Sequence, residues 1–284
     1  MHGHAVALGA GTVLNALSTG TGSAFAIDAE TAATVELDDS DAVTGEIAGT
    51  VDADTRLIER CVELAVERYG GGDAPSGGSV RTESDVPMAA GLKSSSAAAN
   101  ATVLATADAL DADPDRLEAC RLGVEAARDV GVTVTGAFDD ASASMLGGVT
   151  VTDNDADEML ARDEVSWDVL VWTPEERAYS ADADVERCAN VASMAELVAD
   201  LALDGRYAEA MTVNGLAFSA ALGFSPDPAI EAMPHVAGVS LSGTGPSVVA
   251  VGDSEGLDRV QVRWDERSGR TWRTTTRNDG ARIQ

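Results

Sequence analysis

Positive charge is scarce in this chain. Its 284 residues carry 48 Asp plus Glu against 19 Lys plus Arg, a formal net charge of −29. Lysine is nearly absent: Lys93 is the only one, and every other fixed cation is arginine. Nucleic-acid binding through phosphate needs Lys and Arg to displace counterions, so that class of function is excluded, and an anionic membrane surface would repel the chain. Cysteine is also sparse. Cys61, Cys120 and Cys188 are an odd number, far apart, with no CxxC spacing, which fits reduced buried thiols rather than a disulfide framework or a zinc site. His2, His4 and His235 form no familiar metal set, and none lies near a nucleophile motif, which argues against a Ser-His-Asp triad. Long apolar runs are missing too. Residues 1–27 hold no Asp, Glu, Lys or Arg, yet Gly9, Gly11, Asn15, Ser18, Thr19 and Gly20 interrupt them and no basic start precedes them. That stretch is neither a signal peptide nor a span, so a cytoplasmic protein is expected.

Aromatics make up only 4% of the residues, but the hydrophobic share is 45%, enough for a sizeable core built of small aliphatic side chains. Excess carboxylate with lysine almost eliminated suggests a halophilic protein, kept soluble in concentrated salt where screening weakens self-repulsion.

Short apolar runs at His4–Leu8, Ser23–Ala29, Thr34–Leu37 and Val80–Ser84 read as strands. Thr55–Tyr69 has helical spacing and ends at three glycines, Ser95–Leu110 is an Ala-rich buried helix, and Asp113-Pro114 reads as a cap opening Asp115–Arg128. Gly147–Val151 begins another strand. Asp153–Asp163 then reads as an acidic connector, after which the pattern restarts. Trp167–Trp172, Val236–Leu241, Ser247–Val251 and a final Arg270–Thr275 read as strands, with helices at Ser193–Leu203 and Tyr207–Leu222. Strands and helices mix without regular βαβ spacing, so the fold class expected is α+β in two lobes, 1–152 and 153–284, with a cleft between them.

Three segments carry chemical promise. Pro87 through Ala99 places Gly91, Lys93, Ser94, Ser95 and Ser96 at the start of the Ala-rich helix, where unpaired N–H groups and the positive dipole end suit phosphate. It is not a Walker A loop, because Leu92 and Pro87 stand where that motif needs glycine. The bland alternative is a Ser-rich helix cap with a surface lysine. Thr133 through Gly148 sets the adjacent carboxylates Asp139 and Asp140 among small and apolar residues, where one acts as a general base or merely caps a short helix Asp140–Leu146. Ser240 through Val249 is a Gly-rich turn between apolar strands, which packs under a ligand or simply turns.

Taken together, the Pro-x-x-x-Gly-Leu-x-Ser-Ser-x-Ala segment, the Asp with glycine seven residues on, and the late Ser-Gly-Thr-Gly-Pro-Ser resemble the GHMP kinases. The closer resemblance is to the archaeal shikimate kinases, through Gly11–Ala16, Gly22–Phe25, Thr133–Ser144 and Asn278–Ala281. The resemblance implies a two-lobed GHMP kinase fold and ATP-dependent phosphorylation of the 3-hydroxyl of shikimate, with Mg²⁺. On it, Pro87, Gly91, Leu92, Lys93, Ser94, Ser95, Ser96 and Ala97 form the ATP phosphate loop, Asp140 is the catalytic carboxylate, and Ser95 and Asp129 contact magnesium. Acceptor contacts are expected from Asn15, Thr135, Asp139, Gly243, Thr244 and Gly245, with Arg277 the candidate cation for the shikimate carboxylate. Two departures stand out: Thr21 where those enzymes usually carry Lys, and Lys93 where they usually carry Gly or Ser. The generic motifs alone also fit kinases of mevalonate, homoserine or a sugar, or a non-catalytic sensor on the same scaffold, although the sensor would be expected to lack Asp140.

Overall fold

The computed structural model describes residues 1–72, 74–175 and 183–284. Strand β1 (His2–Leu14) and the 18-residue β2 (Thr21–Asp38) form a long antiparallel pair at its centre. The sequence suggested two strands within β2, Ser23–Ala29 and Thr34–Leu37, with Glu30 in the gap between them. The strand instead continues through them, with a register shift against β1 between Leu8 and Ala10: Asp28 faces solvent and Glu30 is half-buried, while Phe25, Ile27 and Ala29 stay in the core. Next come β3 (Val43–Ile47), α1 (Arg56–Tyr69) and β4 (Gly77–Ser84), which gives the order β3-β4-β2-β1 with β3 and β4 parallel.

Helix α2 (Ser94–Ala109) lies across β1 and β2. Its Ala-rich sequence allows a very close approach: a Cβ on Gly3 would fall on the carbonyl oxygen of Ala105. Helix α3 (Arg116–Asp129) packs on α2, and its cap is Asp115, which accepts from the Glu118 N–H at 3.0 Å. The cap expected at Asp113 thus lies two residues further on, because Asp115 and Glu118 supply the D-x-x-E spacing of a capping box. Helix α4 (Phe138–Leu146) leads into the hairpin of β5 (Val149–Asp153) and β6 (Glu158–Asp163), with β5 on the first half of β2. The acidic connector expected at 153–163 therefore contains an edge strand, whose outward carboxylates discourage further pairing. The division expected at residue 152 falls inside β5.

A second, four-stranded antiparallel sheet is built from β7 (Asp168–Thr173), β8 (Gly238–Leu241), β9 (Val248–Gly252) and β10 (Arg270–Thr275), in the order β10-β7-β9-β8. Helices α5 (Val185–Ala189), α6 (Ala192–Leu203), α7 (Tyr207–Leu222), α8 (Asp227–Ala232) and α9 (Ser254–Trp264) complete this half. The chain then returns to the first sheet, where β11 (Arg282–Ile283) pairs with β1, so β10 is not the last strand. Trp167 stitches the halves together, edge-on to Phe25 at 5.5 Å and to Tyr207 at 6.3 Å. All three cysteines are buried free thiols, and no described helix is long and apolar enough to cross a membrane.

Candidate active site

The Gly-Leu-Lys-Ser loop is held from both halves of the molecule. Leu92 is buried, and its carbonyl accepts from the Ala10 N–H. From the other side, Ser242 Oγ donates to the Gly91 carbonyl at 2.7 Å and the Ser247 N–H donates to the Ala90 carbonyl. Gly91 has φ +77° and no room for a Cβ, which would sit on the Ser242 carbonyl oxygen, so glycine is required there. Lys93 caps α2 with a left-handed backbone, φ +66°. Ala89 and Ala137 share that unusual region, so three strained non-glycine residues gather around one site.

Lys93 is neither solvated nor turned away. Its Nζ lies 2.7 Å from Asp140 Oδ1, with the two side chains 5% and 16% exposed. A Cβ on Gly243 would lie only 2.9 Å from the same nitrogen, so the Gly-rich turn closes over the ammonium. The three segments singled out in the sequence therefore meet at a single buried cation. Asp139 and Asp140 occupy the first turn of α4, where the dipole favours carboxylates.

The two carboxylates have different surroundings. Asp139 is buried against Gly22, its Oδ1 accepts from Asn154 Nδ2 at 2.7 Å, and its N–H donates to Asn154 Oδ1. Burial raises its pKa first, and the neighbouring charge of Asp140 second, against the pull of Lys93 and the Asn154 bond. Asp139, expected among the acceptor contacts, is packed under β2, while Asp140 is the more accessible of the two. Thr135 accepts from the Ala137 N–H at 3.2 Å and from Asn154 at 3.4 Å, which shapes the entry into α4. Asn15 is also buried; its Nδ2 donates to the Gly243 carbonyl at 2.8 Å and its Oδ1 accepts from Leu17. Its amide holds the turn of Gly243, Thr244 and Gly245 in place.

Two cavities flank the loop. A narrow one of about 40 Å³ is lined by Ser95, Ser96, Thr133, Gly136 and Asp140. A wider one of about 450 Å³ is lined by Ile47, Thr50, Ser84, Pro87, Met88 and Arg270 among others. The segment 87–96 runs from the wide cavity to the narrow one and passes Lys93 on the way. Ser94, Ser95 and Ser96 open α2, whose first N–H groups have no partner within the helix.

Two residues expected at the site are engaged by other partners in this structure. Arg277 is engaged by Asp279 at 2.6 Å, Asp28 at 2.7 Å and Glu30 at 3.4 Å, and the bonds to Asp279 and Asp28 raise its pKa. Its guanidinium clamps the C-terminal segment to β2. Asp129, at the exposed end of α3, pairs with Arg60 at 2.8 Å and lines neither cavity. The described residues hold no group of three or more His, Cys, Asp or Glu that would make a metal cage. Ser95 and Asp140 do supply hard oxygen donors to one cavity, which fits Mg²⁺ carried mainly by nucleotide phosphates. The sequence reading missed Thr12, Asn154 and Asn214; of these only Asn214 offered a signal, a lone amide inside an otherwise apolar stretch.

Residues 56–148 match the GHMP kinases N terminal domain. The shikimate kinase of Halobacterium salinarum is 64% identical over the full length of both chains. That of Methanothrix thermoacetophila is 51% identical, covering 100% of this chain and 96% of the relative. Among solved structures, the mevalonate kinase of Methanococcus jannaschii superposes with a TM-score of 0.77 at 13% identity, covering 98% of this chain and 99% of that one. A homoserine kinase from Cytophaga hutchinsonii gives 0.75 at 15% identity, over 100% and 97% of the chains. The distant structures fix the two-lobed fold, and the full-length identity to the archaeal enzymes shows that the chain belongs to the shikimate kinase family in its archaeal, GHMP-type form.

Proposed function

We propose that this protein transfers the γ-phosphoryl group of ATP to the 3-hydroxyl of shikimate, giving shikimate 3-phosphate and ADP. The observation that carries the reading is the pairing of buried Lys93, at the start of α2, with Asp140 in the first turn of α4, beside a loop joining a wide cavity to a narrow one. Adenosine fits the wide cavity beside Pro87, and the phosphates run along Gly91–Ala97 toward Asp140. Phosphoryl transfer asks little covalent help of a protein, so positioning and charge neutralisation dominate. N–H groups and hydroxyls of Ser94, Ser95 and Ser96 cradle phosphate oxygens. Lys93 orients the Asp140 carboxylate and adds a positive charge where the phosphoryl group moves. Asp140 directs the attacking hydroxyl and accepts its proton as the new P–O bond forms and the bond to ADP breaks. Ser95 and Asp140 are the residues to hold magnesium, which supplies further neutralisation of the phosphates when bound. The turn Gly243–Gly245, positioned by Asn15, walls the acceptor side.

Mevalonate and homoserine kinases share the fold at 13–15% identity, which leaves the acceptor open, whereas the relatives matched over the whole chain are shikimate kinases. The test is ADP formation from Mg-ATP with shikimate, mevalonate, homoserine and galactose in turn. Turnover with shikimate alone is expected; a higher rate with another acceptor would overturn the assignment. The same reading sets the reaction in the cytoplasm and in concentrated salt, as the −29 charge suggests. Activity should therefore be weak in dilute buffer and recover as KCl is added. A protein fully folded and active at ~0.05 M salt would remove the halophilic part of the reading.

A further inference from the structure

Helix α7 is apolar apart from a few positions, and near its middle stands Asn214, fully buried. A buried amide costs free energy unless its donor and acceptor are both used. Here both are used, and both bonds leave the helix. Oδ1 accepts from the Asn15 N–H at 2.9 Å, and Nδ2 donates to Ser240 Oγ at 2.9 Å. Ser240 in turn donates to the Leu241 carbonyl at 2.9 Å. The adjoining Gly215 allows this contact, since a Cβ there would lie 2.8 Å from Ser240 Cα.

From Asn15 the network runs straight to the catalytic pair. The Asn15 side chain holds the Gly243 carbonyl at 2.8 Å, and Thr12 Oγ1 accepts the Gly243 N–H at 2.7 Å. Both polar groups of the Gly243 peptide are thereby fixed by the end of β1, which belongs to the first sheet, while the turn itself belongs to the second. Gly243 is the residue whose Cα side closes over Lys93 Nζ. Asn214 ties the two ends of this arrangement together, because it grips Asn15 on one side and the strand leading into the Gly-rich turn on the other.

We propose that Asn214 is a positioning residue: it latches the end of β1 to β8 and so holds the Gly243 turn against Lys93, confining the Lys93–Asp140 pair to one geometry. It touches neither cavity lining. Its effect on catalysis rests on the kinase reading above, whereas the latch itself does not. A residue that only stabilised the second half would affect turnover no more than any other buried bond there. A latch shifts the reacting geometry, and small misplacements cost rate far more than ground-state binding.

The experiment compares Asn214→Leu, which keeps the volume and removes both bonds, with Trp264→Phe. The latter removes a buried bond of the same half, Trp264 Nε1 to the Pro228 carbonyl, remote from β1. Amide hydrogen exchange and steady-state kinetics with Mg-ATP and shikimate are read on each folded protein. In Asn214→Leu the amides of Asn15, Leu17 and Gly243 should exchange about tenfold faster or more, while those of β9 keep their protection. Its kcat should fall roughly ten- to a hundredfold with KM for ATP within about twofold of the parent. Trp264→Phe should leave those three amides and kcat unchanged. Unaltered exchange in Asn214→Leu overturns the latch, and so does an equal loss of kcat in Trp264→Phe. If Asn214→Leu fails to fold, Ser240→Ala, which removes one of the two bonds, is judged by the same exchange and kcat criteria with smaller shifts expected. A parent protein that does not phosphorylate shikimate refutes the reaction, while the exchange data still decide the latch.

Discussion

At the cleft, one lysine faces one carboxylate with little water around either, 5% and 16% exposed. At the C-terminal end, Arg277 and Arg282 share Asp28, Glu30 and Asp279, with Asp28 and Asp279 more than half exposed. The two clusters use the same kind of attraction, but solvent separates their roles. Exposed pairs are screened and contribute about 0–1 kcal/mol each. They suit a strap that holds β11 to the first sheet. A desolvated pair keeps its orientation, and removing one partner strands the other, so it suits a reacting centre. In a chain with one lysine, its placement in the second setting is the more informative fact.

The comparison is broken most severely at Asp140. Asp140→Asn should lower kcat by ~10²–10⁴ while nucleotide affinity stays nearly intact, because the amide keeps the size and loses the base. Single-turnover rates with bound ATP measure this, and a mutant above a tenth of the parent rate would remove Asp140 from the chemistry.

Lys93→Ala comes next. If Lys93 contacts the β- or γ-phosphate, a charge-assisted hydrogen bond of ~1.5–3 kcal/mol is lost, which is roughly ten- to more than a hundredfold in rate. Lys93→Arg should recover only part, because its planar fork does not fit the space between Asp140 and Gly243. Kinetic constants for both variants decide it, and parent-like behaviour of Lys93→Ala would make the pair structural.

Asp139 sharpens the contrast through pH. Its folded pKa lies above the ordinary 3.8, so the folded state keeps a proton that the unfolded chain has released. Stability contributed by this group is therefore present at acid pH and lost as pH rises through the folded value. Asp139→Asn does not titrate, so its stability relative to the parent should climb between roughly pH 4 and pH 8, read as a growing difference in melting temperature. A difference that stays constant across that range would remove Asp139 from the pH dependence.

The smallest effects belong to the surface. Arg277→Ala should lower stability by about 1 kcal/mol or less, with less effect in molar KCl, and leave kcat and the shikimate KM unchanged. Asp129→Asn should leave the magnesium dependence of turnover untouched. A large rise in shikimate KM for Arg277→Ala would restore it as the carboxylate partner.

Much of this was legible in the amino-acid order. The helices α2 and α7, the phosphate-suited start of α2 and the Asp-Asp pair are local patterns, and local sterics and periodicity write them directly into sequence. β6 reads as a connector because its charged residues face water, and β2 as two pieces because Glu30, half-buried in the sheet, interrupts the apolar pattern, a distinction that depends on which side of a sheet is covered.

By itself, then, the sequence determined the acidic composition, the lone lysine at a helix start, the small-residue helix and the three motifs that point to a kinase. Only the tertiary structure decided which of two neighbouring carboxylates is buried under Gly22 and which meets Lys93. It alone committed Arg277 and Asp129 to other partners and brought Asn214 to Asn15 across 199 residues of chain. The reason is physical: side-chain type and local propensity act over a few residues, whereas desolvation and ion pairing depend on what distant segments bring within a few ångströms.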